Sequence, residues 1–277
     1  MDKPAGPTSH DVVQRVRRVL KTRAVGHTGT LDPFATGLLV VLVGRATRLA
    51  RFVEAEAKTY LATARLGVAT DTDDATGAPL GPPAVLGELS AARVAEVLAE
   101  FAGEQRQRPP RYSAKHVDGE RSYRLARRGV AVEPAETTVV VRQIDLVEYA
   151  PPELVFRVTV SAGTYVRTLA RDLGERLGVG AHLTALRRES IGALRVEDAV
   201  RLADIAPSAV RPARAVLGHL PTVELDEPGR VAVSHGRAVP ADADARGDVA
   251  LVHEGELVAV ARAGDGWFRP SVVLGVP

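Results

Sequence analysis

The sequence predicts a folded chain of the mixed class, α+β or α/β, with a small β-rich unit at its end. Three observations support this prediction. The 277 residues are 45% hydrophobic and 25% charged, which is typical of a globular protein with a sizeable core. Segments with helical spacing of apolar residues alternate with strand-like segments. After Pro221 the chain consists of short valine-rich stretches separated by Gly and Asp turns.

The first elements are a helix, a loop and a second helix. Thr8 and Ser9 are suitable N-caps, and apolar residues recur at helical spacing over 12–20 with arginines between them. This pattern predicts a basic amphipathic helix. A loop rich in Gly and Thr follows at 26–37, and a second helix is expected through 49–54.

The rest of the chain up to residue 220 alternates between the two patterns. Strands are predicted at 58–68, 137–149 and 154–161, and helices at 91–101, 164–177 and 196–205. Residues near 104–130 carry paired prolines, scattered aromatics and many cations, which predicts a basic surface insertion. We therefore divide the chain into a main domain, 1–220, and a second domain, 221–277, with strands at 249–253, 257–262 and 267–274.

The placement of charge indicates a polyanionic partner. The net charge is only +2, but cations outnumber acids in three blocks, 1–51, 101–130 and 166–217. Only four of the 36 cations are lysine, and arginine can contact phosphate through two hydrogen bonds. A codon bias toward Arg and Ala also explains the arginine excess. The prediction of a polyanionic partner therefore rests on the segregation of charge along the chain.

Several classes of protein lose support. Without cysteine the chain has no disulfides, thiolate zinc sites or cysteine nucleophiles, which suits a reducing compartment. The longest aliphatic run, Leu38 to Val43, is too short to span a bilayer, so we expect a cytoplasmic protein with no membrane association. The motifs of P-loop, dinucleotide-binding, nucleophile-elbow and zincin proteins are missing. No cofactor is expected.

Three neighbouring carboxylates invite a metal-binding interpretation. Asp71, Asp73 and Asp74 resemble part of a calcium loop, but Thr76 stands where that loop requires glycine. The seven histidines are scattered singly. We predict a solvated acidic turn and no metal, and a metal-dependent hydrolase stays as an alternative.

The segment GHTGTLDPFATG at 26–37 is the most specific pattern in the chain. It presents Asp32 before a proline, which favours extended backbone, among glycines that permit close approach to a ligand. Four further blocks occur in the chain: DKPAGPTS at 2–9, KTYLATARLGVATDTDDATG at 58–77, PPRYSA at 109–114 and GTYVRTLARDLG at 163–174. Together the blocks resemble the TruB-type tRNA pseudouridine synthases, which isomerise uridine 55 in the TΨC loop, over most of residues 2–192.

The resemblance implies roles for three catalytic residues. Asp32 is the catalytic carboxylate, which attacks the sugar, attacks the base or removes the ribose 2′ proton. Arg167 keeps Asp32 ionised against the effect of burial. Tyr60 stacks on the target uracil and helps to move the C5 proton. From spacing alone, Arg167 is equally a helix-surface arginine and Tyr60 a strand aromatic.

Other residues are implied to bind substrate. His27 fills the stack that the flipped base leaves, although a loop hydrogen bond is the simpler role for a lone histidine. Tyr165 and Leu186 line the pocket, and Lys3 and Asp74 support the site. In the insertion, the expected RNA contacts are Arg106, Arg108, Arg121 and Arg124.

The resemblance also implies a fold and partners. The fold is α+β, with a mixed, largely antiparallel central sheet flanked by helices and a small C-terminal β-barrel of the PUA type. The expected partner is the T arm of tRNA, bound by a monomer without guide RNA, because guide-dependent relatives lack the basic insertion.

Two further expectations follow. The family carries an apolar strand before the DKP block, so a start at Met1 indicates truncation or misassignment and a poorly anchored Lys3. The rival function is a non-catalytic protein that binds or folds tRNA, which only Asp32 and Arg167 argue against.

Overall fold

The computed structural model describes residues 1–110, 116–117, 120–121 and 135–274, and in them the chain forms seventeen strands. The strands are β1 (Asp2–Lys3), β2 (Val25–His27), β3 (Thr36–Leu38), β4 (Val41–Val43), β5 (Lys58–Leu66), β6 (Gly103–Gln107), β7 (His116–Val117), β8 (Glu120–Arg121), β9 (Thr137–Ala150), β10 (Glu153–Val160), β11 (Ala181–Ile191), β12 (Leu194–Arg195), β13 (Thr222–Glu224), β14 (Val239–Pro240), β15 (Gly247–His253), β16 (Glu256–Gly264) and β17 (Trp267–Val273).

Helices are fewer and shorter. The α-helices in the described residues are α1 (Ser9–Leu20), α2 (Ala50–Glu54), α3 (Ala91–Ala99), α4 (Val166–Arg176) and α5 (Glu227–Ser234). Turns of 3-10 helix occur at Gly44–Leu49, Val196–Asp198, Leu202–Asp204, Pro207–Ala209 and Ala213–Val216. None of the helices in this part of the chain is long and apolar enough to cross a membrane.

An eight-stranded sheet forms the centre of the molecule. Its order is β1-β3-β11-β5-β10-β9-β6, with β12 paired to β11. Strands β3 and β11 run parallel, and the other neighbours are antiparallel. The predicted fold class, with its mixed and largely antiparallel sheet, is confirmed.

The main core lies between this sheet and two helices. Along β5 the buried side chains alternate, so that Tyr60, Ala62 and Ala64 share one face. Apolar residues of α3 and α4, among them Leu98 and Leu173, pack against that face. This packing fixes α4, whose first turn carries Arg167, over the middle of the sheet.

Helix α1 follows the sequence prediction closely. The Thr8 side chain accepts a hydrogen bond from the Asp11 backbone N–H, and the Asp11 carboxylate accepts one from the Thr8 backbone, which completes a capping box. Val12, Val13 and Val16 are buried, so the apolar stripe faces the protein, and Arg15 and Arg18 are exposed. Arg17 is half-buried, and its Nη2 donates a hydrogen bond to the Val25 carbonyl at 2.9 Å.

The C-terminal residues form a separate five-stranded sheet in the order β13-β15-β16-β17-β14, a half-barrel. It has its own apolar core around Leu251 and Phe268. Val260 and Val272 pack instead with Phe52 of α2, so one apolar cluster joins the sheet to the main body. The predicted small β unit is confirmed.

Two sequence predictions need correction. The prediction of a helix at 196–205 is wrong, because the backbone of this segment pairs with β1. The Asp2 N–H donates a hydrogen bond to the Val200 carbonyl at 2.8 Å. Only two 3-10 turns remain there. Strand β11, beside the middle of the sheet, was not predicted, because Arg187, Arg188 and Glu189 interrupt its apolar pattern.

Candidate active site

Asp32 lies on the segment between β2 and β3. Ser9 braces this segment, since its Oγ accepts a hydrogen bond from the Leu31 N–H at 2.8 Å and donates one to the Leu31 carbonyl at 3.1 Å. Gly37, at the end of the segment, has a φ of +99°, and a Cβ there would collide with the Arg188 backbone on β11. Glycine is therefore required where the Asp32 loop enters the sheet.

Lys3 anchors the same loop from the other side. Its side chain is 0% exposed, and Nζ donates to the carbonyls of Ala35 at 2.7 Å, Pro4 at 2.9 Å and Pro33 at 3.3 Å. Burial lowers the pKa of Lys3 to about 8, and the charge of Asp32 opposes this shift. The expectation of a poorly anchored Lys3 is wrong, because the carbonyls of the loop itself hold the ammonium group.

Arg167 and Asp32 form a two-point ion pair, although 135 residues separate them in the chain. Arg167 Nε lies 2.9 Å from Asp32 Oδ2, and Nη2 donates a hydrogen bond to Oδ1 at 3.2 Å. The Arg167 side chain is only 5% exposed. A buried guanidinium thus fixes both oxygens of the carboxylate.

Asp74 holds the other side of the Arg167 guanidinium. Nη1 lies 3.5 Å from Asp74 Oδ2 and donates to the Thr72 carbonyl at 3.0 Å. Asp74 Oδ1 accepts hydrogen bonds from Thr76 N at 2.9 Å and from the hydroxyls of Thr72 and Thr76 at 2.8 and 2.6 Å. Arg167 is therefore held between two carboxylates and cannot rotate away from Asp32 without losing both.

The surroundings of Asp32 act on its pKa in opposite directions. Burial raises the pKa of Asp32, and the nearby charge of Asp74 adds to the rise. Arg167 and Lys3 lower it, but the net result is a raised pKa. The Asp32 carboxylate therefore loses its charge at a higher pH than an ordinary aspartate, and its cationic neighbours limit this rise of the pKa.

A pocket of about 250 Å³ opens beside the ion pair. Asp32 is the one carboxylate that lines it in the described part of the chain, and Tyr60, Tyr165 and Leu186 supply aromatic and apolar wall. Lys3, Asp74 and His27 do not line it. His27 ends β2, five residues before Asp32. The structure thus brings Asp32, Arg167, Tyr60, Tyr165 and Leu186 together in one pocket.

The three carboxylates of the acidic turn are engaged separately. Asp71 accepts from the Ala78 N–H at 2.8 Å, Asp73 pairs with Arg171 at 3.3 Å, and Asp74 belongs to the Arg167 network. Within the described ranges, no group of three or more His, Cys, Asp or Glu side chains is arranged to hold a metal ion. The prediction of a solvated turn is wrong for Asp73 and Asp74, which are buried.

The basic insertion leaves the sheet beyond β6. Arg106 and Arg108 form ion pairs with Glu136 at 3.2 and 3.5 Å and are well exposed. Arg124 and the side chain of Arg121 lie outside the described residues. Gln107, which the sequence did not single out, is buried. Its Oε1 accepts a hydrogen bond from the Tyr165 backbone N–H at 2.8 Å, and its Nε2 donates one to the Tyr165 carbonyl at 3.0 Å. The base of the insertion is thereby tied to the start of α4.

Comparison with known proteins identifies the family of the chain. A family model described as the N-terminal domain of TruB family pseudouridylate synthase matches residues 17–166, and one described as the tRNA pseudouridylate synthase B C-terminal domain matches 167–217. The chain belongs to the TruB family. Asp32 lies within the first of the two matches, and the second begins at Arg167.

Relatives of known name extend the TruB match to the whole chain. The tRNA pseudouridine synthase B of Gloeobacter violaceus is 44% identical over 99% of this chain and 97% of its own length. That of Burkholderia mallei is 44% identical over 98% and 94%. Among solved structures, an H/ACA ribonucleoprotein bound to a substrate RNA containing 2′-deoxyuridine matches with a TM-score of 0.75 and 28% identity over 99% of this chain and 83% of that one.

A stability measurement tests the environment of Asp73 in this TruB-family chain. Burial raises the pKa of Asp73 to about 6, so the folded state holds a proton that the unfolded state releases near pH 4. The wild type therefore loses stability at this position between about pH 4 and 6. Asp73→Asn cannot titrate, and Asn tolerates the φ of +60° found there.

When the pH rises from 4.5 to 7, the free energy of unfolding of Asp73→Asn should increase by on the order of 2 kcal/mol relative to that of the wild type. Urea unfolding at both pH values measures this change. Asp265→Asn is the matched control, since Asp265 also has a positive φ, +53°, but is 88% exposed. If the free energies of unfolding of Asp73→Asn and Asp265→Asn changed equally with pH, the effect of burial on the pKa of Asp73 would be contradicted.

Proposed function

We propose that the protein isomerises uridine 55 in the T loop of tRNA to pseudouridine and that Asp32 is its catalytic residue. The observation that carries the proposal is a pocket in which Asp32 is the one carboxylate among the described lining residues, and a buried Arg167 contacts it at 2.9 Å. Relatives 44% identical over nearly the whole chain bear the name tRNA pseudouridine synthase B.

A single carboxylate suits isomerisation better than hydrolysis. Glycosidases use two carboxyl groups because a water molecule must be activated or a glycosyl intermediate released to water. In pseudouridine formation the C1′–N1 bond breaks, a C1′–C5 bond forms, C5 loses a proton and N1 gains one, so no water enters. Asp32 can serve by attacking the sugar, attacking the base or removing the ribose 2′ proton, and all three require it ionised.

The remaining pocket residues support such a reaction. Arg167 stabilises the ionised form of Asp32 and fixes its direction. Tyr60, buried on β5 and lining the pocket, is placed to stack on uracil and to help move the C5 proton. Leu186 and Tyr165 enclose the base, which keeps water from the detached uracil.

The target base has to leave its stack before it can enter this pocket. Extrusion of a base costs on the order of a few kcal/mol. We propose that His27, near the Asp32 loop and outside the pocket, takes the vacated position in the T loop. Lys3 and Asp74 support the site indirectly, through the loop carbonyls and through Arg167.

We also propose a division of labour along the chain. Residues 1–220 form the catalytic domain, the insertion near 104–130 contacts RNA, and 221–277 form a PUA-like RNA-binding domain. The T arm is the part of tRNA that we expect to be bound, with no guide RNA. We expect a monomer to be active.

The experiment that tests the proposal uses an unmodified T-arm stem-loop. The protein is incubated with it in the absence of nucleotide and in the presence of a chelator, and pseudouridine is mapped by chemical probing and primer extension. We expect product at the position of uridine 55 alone. Binding without product would instead support a tRNA-binding or tRNA-folding protein, and loss of product caused by the chelator would support metal-dependent chemistry.

A salt titration tests the RNA-binding role of the insertion. Neutralising Arg106, Arg108, Arg121 and Arg124 together to Gln should weaken tRNA binding and reduce the slope of log K against log salt by about one to three. The reason is that each phosphate contact releases a counterion. Arg93→Gln is a control, because Arg93 is an exposed arginine paired with Glu96 on α3. A slope unchanged by the four substitutions would indicate that these arginines lie on a solvated surface and do not contact RNA phosphates.

A further inference from the structure

Two more buried cations line the pocket beside Arg167. Lys58, at the start of β5, is 8% exposed, and Arg188, on β11, is 1% exposed. Their hydrogen bonds go to backbone carbonyls: Lys58 Nζ donates to Glu54 at 2.9 Å and Glu56 at 2.8 Å, and Arg188 donates to Leu38 and Gly29 at 2.6 and 3.1 Å. In the described residues, neither cation has a carboxylate oxygen within 4 Å.

The two cationic side chains converge on one point of the pocket wall. A Cβ built on Gly29 would lie 3.7 Å from Arg188 Nη1 and 3.7 Å from Lys58 Cε. Gly29 has a φ of +102° and lies three residues before Asp32. Arg188 Nη1 makes no hydrogen bond to any residue that the structure describes, while Nε and Nη2 are both used. A donor with positive charge therefore remains available at the pocket.

The pair does not serve as counter-charge to Asp32. The charges that act on the Asp32 carboxylate are those of Arg167, Asp74 and Lys3. Burial and the charge of Arg188 together lower the pKa of Lys58 to about 8, and the charges of Glu54 and Glu56 oppose this shift without cancelling it. Two like charges in a buried position are costly unless an anion neutralises them. The pocket thus holds an excess of positive charge that Asp32 does not balance.

We propose that Lys58 and Arg188 form a phosphate subsite, which binds one of the two backbone phosphates that flank the target uridine. The inference rests on the proposed function and adds that the pocket takes a nucleotide rather than a base alone. A guanidinium with a free N–H and an ammonium group are the usual protein partners of phosphate. A phosphate held there keeps the ribose in place while the detached uracil turns to present C5 to C1′.

The test replaces a single phosphate charge in the substrate. Three T-arm stem-loops are compared: an unmodified one, one with a neutral methylphosphonate on the 5′ side of the target uridine, and one with it on the 3′ side. Dissociation constants and single-turnover rates are measured for wild type, Lys58→Met and Lys21→Met. Lys21 is a matched control, because it is an exposed lysine at the end of α1.

We expect one of the two neutral linkages to weaken wild-type binding or single-turnover rate about tenfold, the effect of losing a charge-assisted hydrogen bond. The same linkage should cost Lys58→Met less than about twofold. Lys21→Met should respond as the wild type does. The linkage that shows the effect tells whether the bound phosphate lies on the 5′ or the 3′ side of the target uridine.

Two results would overturn the subsite. One is a wild type that tolerates both neutral linkages, which decides the matter whether or not any variant folds. The other is a loss in Lys58→Met as large as in wild type, with thermal unfolding as the check of folding. Lys58→Arg keeps the charge and should restore sensitivity to the linkage. Conversion of the unmodified stem-loop without a linkage effect overturns the subsite alone, whereas no conversion overturns the proposed function.

Discussion

Asp32→Asn is expected to abolish isomerisation and to leave T-arm binding nearly intact. The substitution keeps the size of the side chain but removes the charge that all three possible roles of Asp32 require. Arg167 retains its contacts to Asp74 and Thr72, so the pocket should keep its shape. We predict a single-turnover rate at least about 10⁴-fold lower, with the dissociation constant changed by less than about tenfold, or roughly 1.4 kcal/mol.

The measurement is a quenched single-turnover assay with saturating tRNA, beside a filter-binding titration. Asp145→Asn, which neutralises an exposed carboxylate on β9, is the control and should react like the wild type. Full activity of Asp32→Asn would remove the basis of the mechanism. A large loss of binding would show that Asp32 contributes to the affinity rather than to the chemistry.

Substitutions at Arg167 are expected to have the second largest effect. Lysine keeps the charge but loses the fork that contacts Asp32 at two points and Asp74 on the other side. We predict a loss on the order of 10²- to 10³-fold for Arg167→Lys. Arg167→Met preserves much of the packing but removes the cation that contacts both Asp32 and Asp74, so its loss should be on the order of 10⁴-fold or more.

The pH dependence of the two variants separates charge from shape. Burial already raises the pKa of Asp32, and loss of the Arg167 charge removes the main opposing influence. In Arg167→Met the pKa of Asp32 should therefore rise further, and the rate should recover in part as the pH increases. Single-turnover rates from acidic to alkaline pH, with tRNA saturating, measure this recovery. If the Met and Lys variants react alike at every pH, Arg167 is not the partner of Asp32.

Local elements were the most predictable part of the fold. Helix α1 was predicted because Thr8 and the valine spacing act within one turn of the chain, and the structure has both. The strands from 58, 137 and 154 were found within two residues of their ends, because β-type alternation is also a local signal. The helix expected at 196–205 failed because its backbone pairs with Asp2, a contact that no local pattern contains.

The candidate site was predictable only in part. Asp32 stands in a specific motif, but the pairing of Asp32 with Arg167 across 135 residues followed from the family resemblance and not from spacing. Lys58 and Arg188 were missed because a cation in a strand pattern is expected on an exposed face. In the structure the alternation of β11 buries Arg188 between Leu186 and Ser190, where carbonyls satisfy two of its nitrogens. Gln107 was missed because its partner is the backbone of Tyr165, and a sequence pattern does not show such a contact.

Release of tritium from C5 tests the central claim most directly. A T-arm transcript labelled with tritium at C5 of its uridines must lose that label to water when C5 becomes bonded to C1′. With wild-type protein, a chelator and no nucleotide, we predict release of one tritium per transcript, and none with Asp32→Asn. No release by the wild type, or equal release by Asp32→Asn, would contradict an Asp32-dependent isomerisation.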